Sequence, residues 1–97
     1  MSSPADTVAV RHDREKQRFE AEVDGMLSVA DYHLRGTDMV MTHTFVPPEL
    51  RGRGIAEKLV RFALEFARTE RLRVVPACSY VDSFVRRHAE YLPLLAT

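Results

Sequence analysis

A single cysteine in 97 residues leaves no route to an intramolecular disulfide or a thiolate-rich metal site. The four histidines, His12, His33, His43 and His88, show no ligand spacing, so no metal is expected. No apolar run approaches the length needed to span a bilayer. Residues 1–6 lack the basic segment and apolar stretch of a signal peptide. Charge of neither sign prevails, with 14 Lys and Arg against 14 Asp and Glu, so nothing global points to nucleic acid or an anionic membrane as partner. Internal repeats, linkers and low-complexity segments are absent as well. What remains is the expectation of a soluble, cytoplasmic protein: a flexible tail over residues 1–6 and one small domain over residues 7–97.

The order of elements is legible after that tail. Residues 7–12 read as a strand and residues 13–16 as a polar turn. Residues 18–23 alternate apolar and charged, the period of a half-buried strand. Asp24-Gly25 is a strong hairpin signal. Residues 26–34 and 39–46 read as two more strands, separated by the turn Arg35-Gly36-Thr37-Asp38. The first half is therefore an antiparallel meander of four strands.

The period then changes. Ile55, Leu59, Phe62, Ala63 and Phe66 recur at helical spacing, with Val60, Leu64 and Ala67 beside them, which predicts a core-facing helix of about four turns. Glu57, Arg61 and Glu65 stand four apart on its other side and are placed to pair. Residues 73–77 read as a fifth strand, parallel to the fourth because a helix joins them. Residues 79–88 read as a short helix, with Ser79 and Asp82 fitting a capping box and Val81, Phe84, Val85 and His88 as its apolar stripe.

Between the fourth strand and the long helix lies Val46-Pro47-Pro48-Glu49-Leu50-Arg51-Gly52-Arg53-Gly54-Ile55-Ala56-Glu57-Lys58. A glycine-punctuated turn that opens a helix presents several backbone N–H groups where the helix dipole is positive. That suits a phosphate or pyrophosphate. Arg51, Arg53 and Lys58 add formal charge. The Rossmann fingerprint fails because Glu57 takes its last place, and no P-loop string exists. The bland reading is a turn that merely starts a helix.

The spacing Arg51, Gly54, Ala56 fits R-x-x-G-x-A, and it resembles the acyl-coenzyme A pyrophosphate loop of the GNAT acetyltransferase superfamily. The resemblance sharpens with Thr42-His43-Thr44 ahead of the loop, then Cys78-Ser79-Tyr80-Val81 and Arg87-His88-Ala89-Glu90-Tyr91 behind it. These strings look like the short single-domain branch of that family, over residues 19–91. Two departures stand out: Phe45 where the branch carries Glu, and Ala89 where it carries Pro. The resemblance implies an α+β fold: a four-stranded antiparallel meander, acyl-CoA loop and helix, parallel fifth strand and short C-terminal helix. It implies acetyl-CoA as cosubstrate, an amine as acceptor and acyl transfer as the reaction. Val46, Arg51, Gly52, Arg53, Gly54, Ile55, Ala56 and Lys58 would then bind the cofactor. Domains of full length add strands to the acceptor side, so a protein partner completing that side is a further expectation.

Three side chains are candidates for chemistry. Cys78 precedes the second helix, where the helix N-terminus favours a thiolate, so an acetyl-Cys relay competes with a buried inert thiol. Tyr80, or Tyr91, would protonate the departing thiolate as family tyrosines do, against the default of a rim or core tyrosine. His43 enters the loop and would deprotonate the incoming ammonium, since histidine changes charge around neutrality; the bland alternative is a structural strand histidine. Arg71, Arg73, Arg86 and Arg87 either grip a phosphate of the cofactor or solvate the surface. The competing function, from another class, is a non-catalytic acyl-CoA-binding or protein-interaction module, which Phe45 favours.

Overall fold

The computed structural model describes residues 8–96; the tail over residues 1–6 and Thr7 fall outside them. Five strands form one sheet in sequence order: β1 (Arg11–Asp13), β2 (Arg18–Val23), β3 (Met26–Arg35), β4 (Asp38–Phe45) and β5 (Arg73–Pro76). The long helix α1 (Ile55–Thr69) joins β4 to β5, and α2 (Ser79–Arg87) follows β5. The first three pairings are antiparallel and β4–β5 is parallel, as the meander and the helical crossover require. The expected fold class is the one observed.

The hairpins close as their turns dictate. Val23 faces Met26 across Asp24-Gly25, and both turn residues take positive φ, at 53° and 74°. That is the geometry of a type I′ turn, whose twist matches the strands it connects. Arg35 faces Asp38 across Gly36-Thr37, where Gly36 alone takes positive φ, at 60°. The first strand departs from expectation. Only Arg11–Asp13 pairs with β2, because the chain before Arg11 leaves the sheet edge and buries Val8 in the core.

One face of the sheet carries the core. Phe19, Ala21, Ala30, Tyr32, Met39 and Met41 pack beneath Leu59, Val60, Ala63, Leu64 and Ala67 of α1, and α2 adds Val81, Phe84 and Val85. The predicted α1 stripe needs correction at its margin. Phe62 is 45 % exposed and Phe66 is half-buried. Apolar residues occupy a wider arc of the helix than a single sheet face can cover. The two phenylalanines therefore fall at the sheet border, near Phe19 (5.8 Å between the Phe62 and Phe19 ring centroids) and His12 (4.5 Å from the Phe66 ring).

The charged side of α1 also sorts differently. Arg61 pairs with Glu57 at 3.5 Å, as predicted. Glu65 instead accepts a hydrogen bond from the Tyr91 hydroxyl at 2.8 Å and pairs with Arg68 at 3.2 Å. Tyr91 is thereby buried against α1, with the Arg61 and Arg68 guanidinium groups over its ring. The capping box is not formed. Cys78 is itself the N-cap residue of α2, Ser79 is the first helical residue, and Asp82 turns to Arg86 at 3.1 Å. A same-helix partner one turn on competes successfully for that carboxylate.

Candidate active site

The sheet parts along β4. From Asp38 to Met41 the strand pairs with β5, ending at Met41 opposite Pro76, and the Cys78 N–H donates to the Met41 carbonyl at 2.9 Å. The chain then leaves the sheet as α2. Residues 42–45 pair with β3 alone, so their other edge faces α2 across a gap. Opposite Asp31 and Tyr32, β4 spends three residues, His43, Thr42 and Met41, so Thr42 is the extra residue of a β-bulge. Bulges bend a strand and re-aim the side chains beyond them.

The turn after β4 sits at the far side of the gap. A 3-10 helix over Pro48–Leu50 leads to Gly52 and Gly54, whose φ angles are 86° and 79°. Side chains other than glycine strain in that left-handed region. A Cβ at Gly52 would meet open space, so the conformation alone calls for glycine there. Gly54 caps α1 without a side-chain hydrogen bond. The N–H groups of the first helical turn, Ile55, Ala56 and Glu57, lack partners within the helix, as all helix starts do. The Lys58 N–H already closes that turn on the Gly54 carbonyl at 3.1 Å, which removes it from the expected set of donors.

A cleft of about 400 Å³ opens over this turn, lined by Val46, Leu50, Arg51, Gly52, Gly54, Ile55, Ala56 and Glu57 on one side and Tyr80, Phe84 and Arg87 of α2, with His88 just after it, on the other. A second space of about 310 Å³ continues it, lined by Thr44, Phe45, Val46, Arg51, Ala56 and Tyr80. The four shared residues, Val46, Arg51, Ala56 and Tyr80, make the two a single channel from the α1 N-terminus to the end of β4. Arg51 is held at its middle by an Nε–H donated to the Val46 carbonyl at 3.0 Å.

Of the expected cofactor residues, Val46, Arg51, Gly52, Gly54, Ile55 and Ala56 line the channel. Arg53 turns away to Asp24 of the first hairpin at 3.2 Å, and Lys58 is not among the lining residues. Phe84, His88 and Glu57 line it without having been singled out for that place, and Arg87, weighed between gripping a cofactor phosphate and solvating the surface, lies in the lining too. The signal was the α2 periodicity, which sets Tyr80, Phe84 and Arg87 on one face. His88 packs flat on Phe84 at 4.0 Å and donates its Nδ1–H to the Phe84 carbonyl at 2.7 Å.

The three chemical candidates separate. Tyr80 lies on both parts of the channel, and burial together with the Glu57 carboxylate raises its hydroxyl pKa above the usual phenol value. It is a protonated donor at neutral pH. Cys78 is half-buried, with Sγ 3.6 Å from the Thr44 hydroxyl of the channel wall. Burial pushes its thiol up. Hydrogen bonds from the Val81 backbone, the Thr44 side chain and the Tyr80 backbone outweigh that and leave it below the ordinary value. His43 does not join them. It is exposed and, by strand alternation, points to the opposite sheet face from Thr44, its ring parallel to that of Phe45 at 6.4 Å. Tyr91 is excluded from the channel by its burial against α1. Among the described residues no three His, Cys, Asp or Glu side chains gather as metal ligands would.

A parallel pair of strands that parts beside a glycine turn opening a helix sets the class of fold: a mixed five-stranded sheet with a helical crossover and a channel between β4 and α2. The sequence profile of the GCN5-related N-acetyl-transferase family matches residues 18–94, so the chain belongs to that family. Protein NATD1 of Bos taurus is 37 % identical over 84 residues, covering 84 % of this chain and 74 % of that protein. Protein NATD1 of Xenopus tropicalis is 33 % identical over 88 residues, covering 88 % and 81 %. The solution structure of a GCN5-like protein from Staphylococcus aureus superposes with a TM-score of 0.74 at 22 % identity, over 91 % of this chain and 87 % of that one, which supports the fold.

Proposed function

We propose that the protein binds acetyl-CoA in the channel and transfers the acetyl group to a primary amine. The observation that carries this reading is the channel itself, continuous from the α1 N-terminus to the open edge of β4. The Ile55, Ala56 and Glu57 N–H groups and the helix dipole receive the pyrophosphate. Gly52 and Gly54 keep side chains out of its way, and Arg51 supplies charge from the channel wall. Arg87 and His88, at the α2 side, are within the same cleft for a further phosphate. The pantetheine arm lies along the unpaired edge of residues 42–45 as an added strand would, bringing the thioester toward Tyr80.

Chemistry then needs little apparatus. His43 takes a proton from the ammonium at the outer face. The free amine attacks the thioester carbonyl, the C–N bond forms and the C–S bond breaks, and Tyr80 protonates the leaving thiolate. The thiol at Cys78, lowered by the α2 N-terminus and Thr44, offers a second route in which the acetyl group rests on sulfur before reaching the amine. Alanine at Cys78 abolishes transfer on the second route and spares it on the first.

Calorimetric titration with acetyl-CoA, and with free coenzyme A for comparison, tests the site. Saturable binding is expected in the wild type and its loss in Gly54→Asp, which puts both a strained side chain and a carboxylate at the phosphate seat. A folded wild type that binds neither ligand would leave the channel without its guest. Binding without acetyl transfer to any amine would favour the non-catalytic acyl-CoA-binding module instead.

A further inference from the structure

The acceptor end of the channel has its own chemistry. Phe45 closes it, 41 % exposed, on the sheet face away from α1. Beside it stands the parallel His43 ring. Val29 is its cross-strand partner, and Leu27, two residues along β3 on the same face, is 40 % exposed. The end of β4 is thus an aromatic platform with an apolar flank.

The outer sheet face beside this platform carries Glu20, Asp31 and the exposed Glu22, which stands opposite Leu27, whereas the channel lining itself is poor in negative charge. Among the described residues lining the channel, Glu57 is the one acidic side chain, at the opposite end and paired with Arg61. Asp31, across from His43, is held by Arg18 at 3.0 Å. Glu20 is held by Arg11 at 2.9 Å. Arg51, by contrast, lines both parts of the channel. A polyamine or a lysine-rich peptide would bring extra positive charge to a guanidinium and find no unpaired carboxylate among the channel's lining residues. An amine whose body is an aromatic ring would bring one charge, lost on deprotonation, and a flat apolar surface to set against Phe45.

We propose that the acceptor is a primary amine carried on an aromatic body, and that Phe45 is the residue that selects it. The proposal rests on the acetyl-transfer reading. The ring stacks on Phe45 and His43 while its amino group reaches past Thr44 to the thioester. The nitrogen forms the new C–N bond, coenzyme A departs with the C–S electron pair, and the proton shed by nitrogen balances the one given to the thiolate.

The test uses the full chain with acetyl-CoA and four acceptors: 2-phenylethylamine, tryptamine, spermidine and a lysine peptide with a blocked N-terminus. Thiol release and product mass are read, with acetyl-CoA binding measured in parallel. The aromatic amines should exceed spermidine in kcat/KM by about tenfold or more, and Phe45→Ala should lower their kcat/KM by about tenfold, chiefly through KM. Phe45→Glu should turn the preference toward spermidine. Spermidine or the peptide as the better wild-type acceptor overturns the proposal, as does an unchanged KM in Phe45→Ala. Acetyl-CoA binding with no amine acetylated overturns it while sparing the cofactor site. Absence of acetyl-CoA binding removes the underlying reading as well.

Discussion

The two halves of β4 differ in pairing and in burial. Residues 38–41 are paired on both sides, by β3 and by β5, and Met39 and Met41 are fully buried under α1. Residues 42–45 are paired on one side only, and three of the four are exposed. One half spends its backbone hydrogen bonds on stability. The other leaves one edge unpaired beside the channel, beyond a bulge in its pairing with β3. Unpaired strand edges are hazards in most proteins, because they recruit other strands. Here the edge faces a cleft walled by Tyr80 of α2.

Ion pairs fasten the elements around β4: Arg11, Glu20, Arg18 and Asp31 link β1, β2 and β3 in a ladder on the outer sheet face, in register with His43 and Phe45. On the far side of α1, Tyr91, Glu65, Arg61 and Arg68 fasten the C-terminal turn. The outer edge of β5 is covered by the bridge from Val74 to Leu95 and the Ala96 N–H donated to the Val74 carbonyl at 2.9 Å.

Substitutions should therefore separate stability from binding. Phe19→Ala, in the core beneath α1, removes a fully buried ring that stacks on His12 at 4.1 Å and should cost about 3–5 kcal/mol in denaturant unfolding. The folded fraction should bind acetyl-CoA as the wild type does. If binding fell with stability, the two regions would be one cooperative unit. Tyr80→Phe, in the open half, should leave the unfolding midpoint in place and lower kcat by about a hundredfold, the usual scale for a lost general acid. An unaltered kcat would remove Tyr80 from the chemistry.

The smallest effect concerns pH. His12 lies between Phe19 and Phe66, its Nε2 2.6 Å from the Tyr32 hydroxyl, and burial together with Arg14 lowers its pKa. A histidine with a depressed folded-state pKa favours the fold while neutral. Its contribution is complete above the unfolded value, about 6.5, and is lost as pH falls from there toward the lower folded value. His12→Gln should flatten the pH dependence of stability below about 6.5 relative to the wild type. Acetyl-CoA binding should be indifferent to that change, since His12 is remote from the channel lining. An equal slope in both proteins would show that other groups set the acid limit.

Local chemistry made much of this readable in advance. Arg18–Val23 alternates as a half-buried strand must, and Asp24-Gly25 turns as a two-residue hairpin must. Gly52 and Gly54 announce a left-handed turn before a helix. What resisted reading was long-range choice. Arg53 looks like part of the phosphate seat in sequence, but Asp24, 29 residues earlier, lies closer to its guanidinium than the channel does. Phe62 and Phe66 fit the helical stripe, yet the sheet was too narrow to cover them. His43 and Thr44 are neighbours in the chain and point to opposite faces, so only one of them can share a wall with Cys78.

By itself, then, the sequence determined the element order, the hairpin turns, the helix faces and the family, because each follows from side-chain period and backbone preference within a few residues. Only the tertiary structure decided which edge of β4 stays open, which arginine faces the channel, that Tyr80 and not Tyr91 reaches it, and that Phe45 stands at its mouth. Those outcomes depend on competition between partners far apart in the chain. That competition is resolved only when the sheet and its two helices have packed.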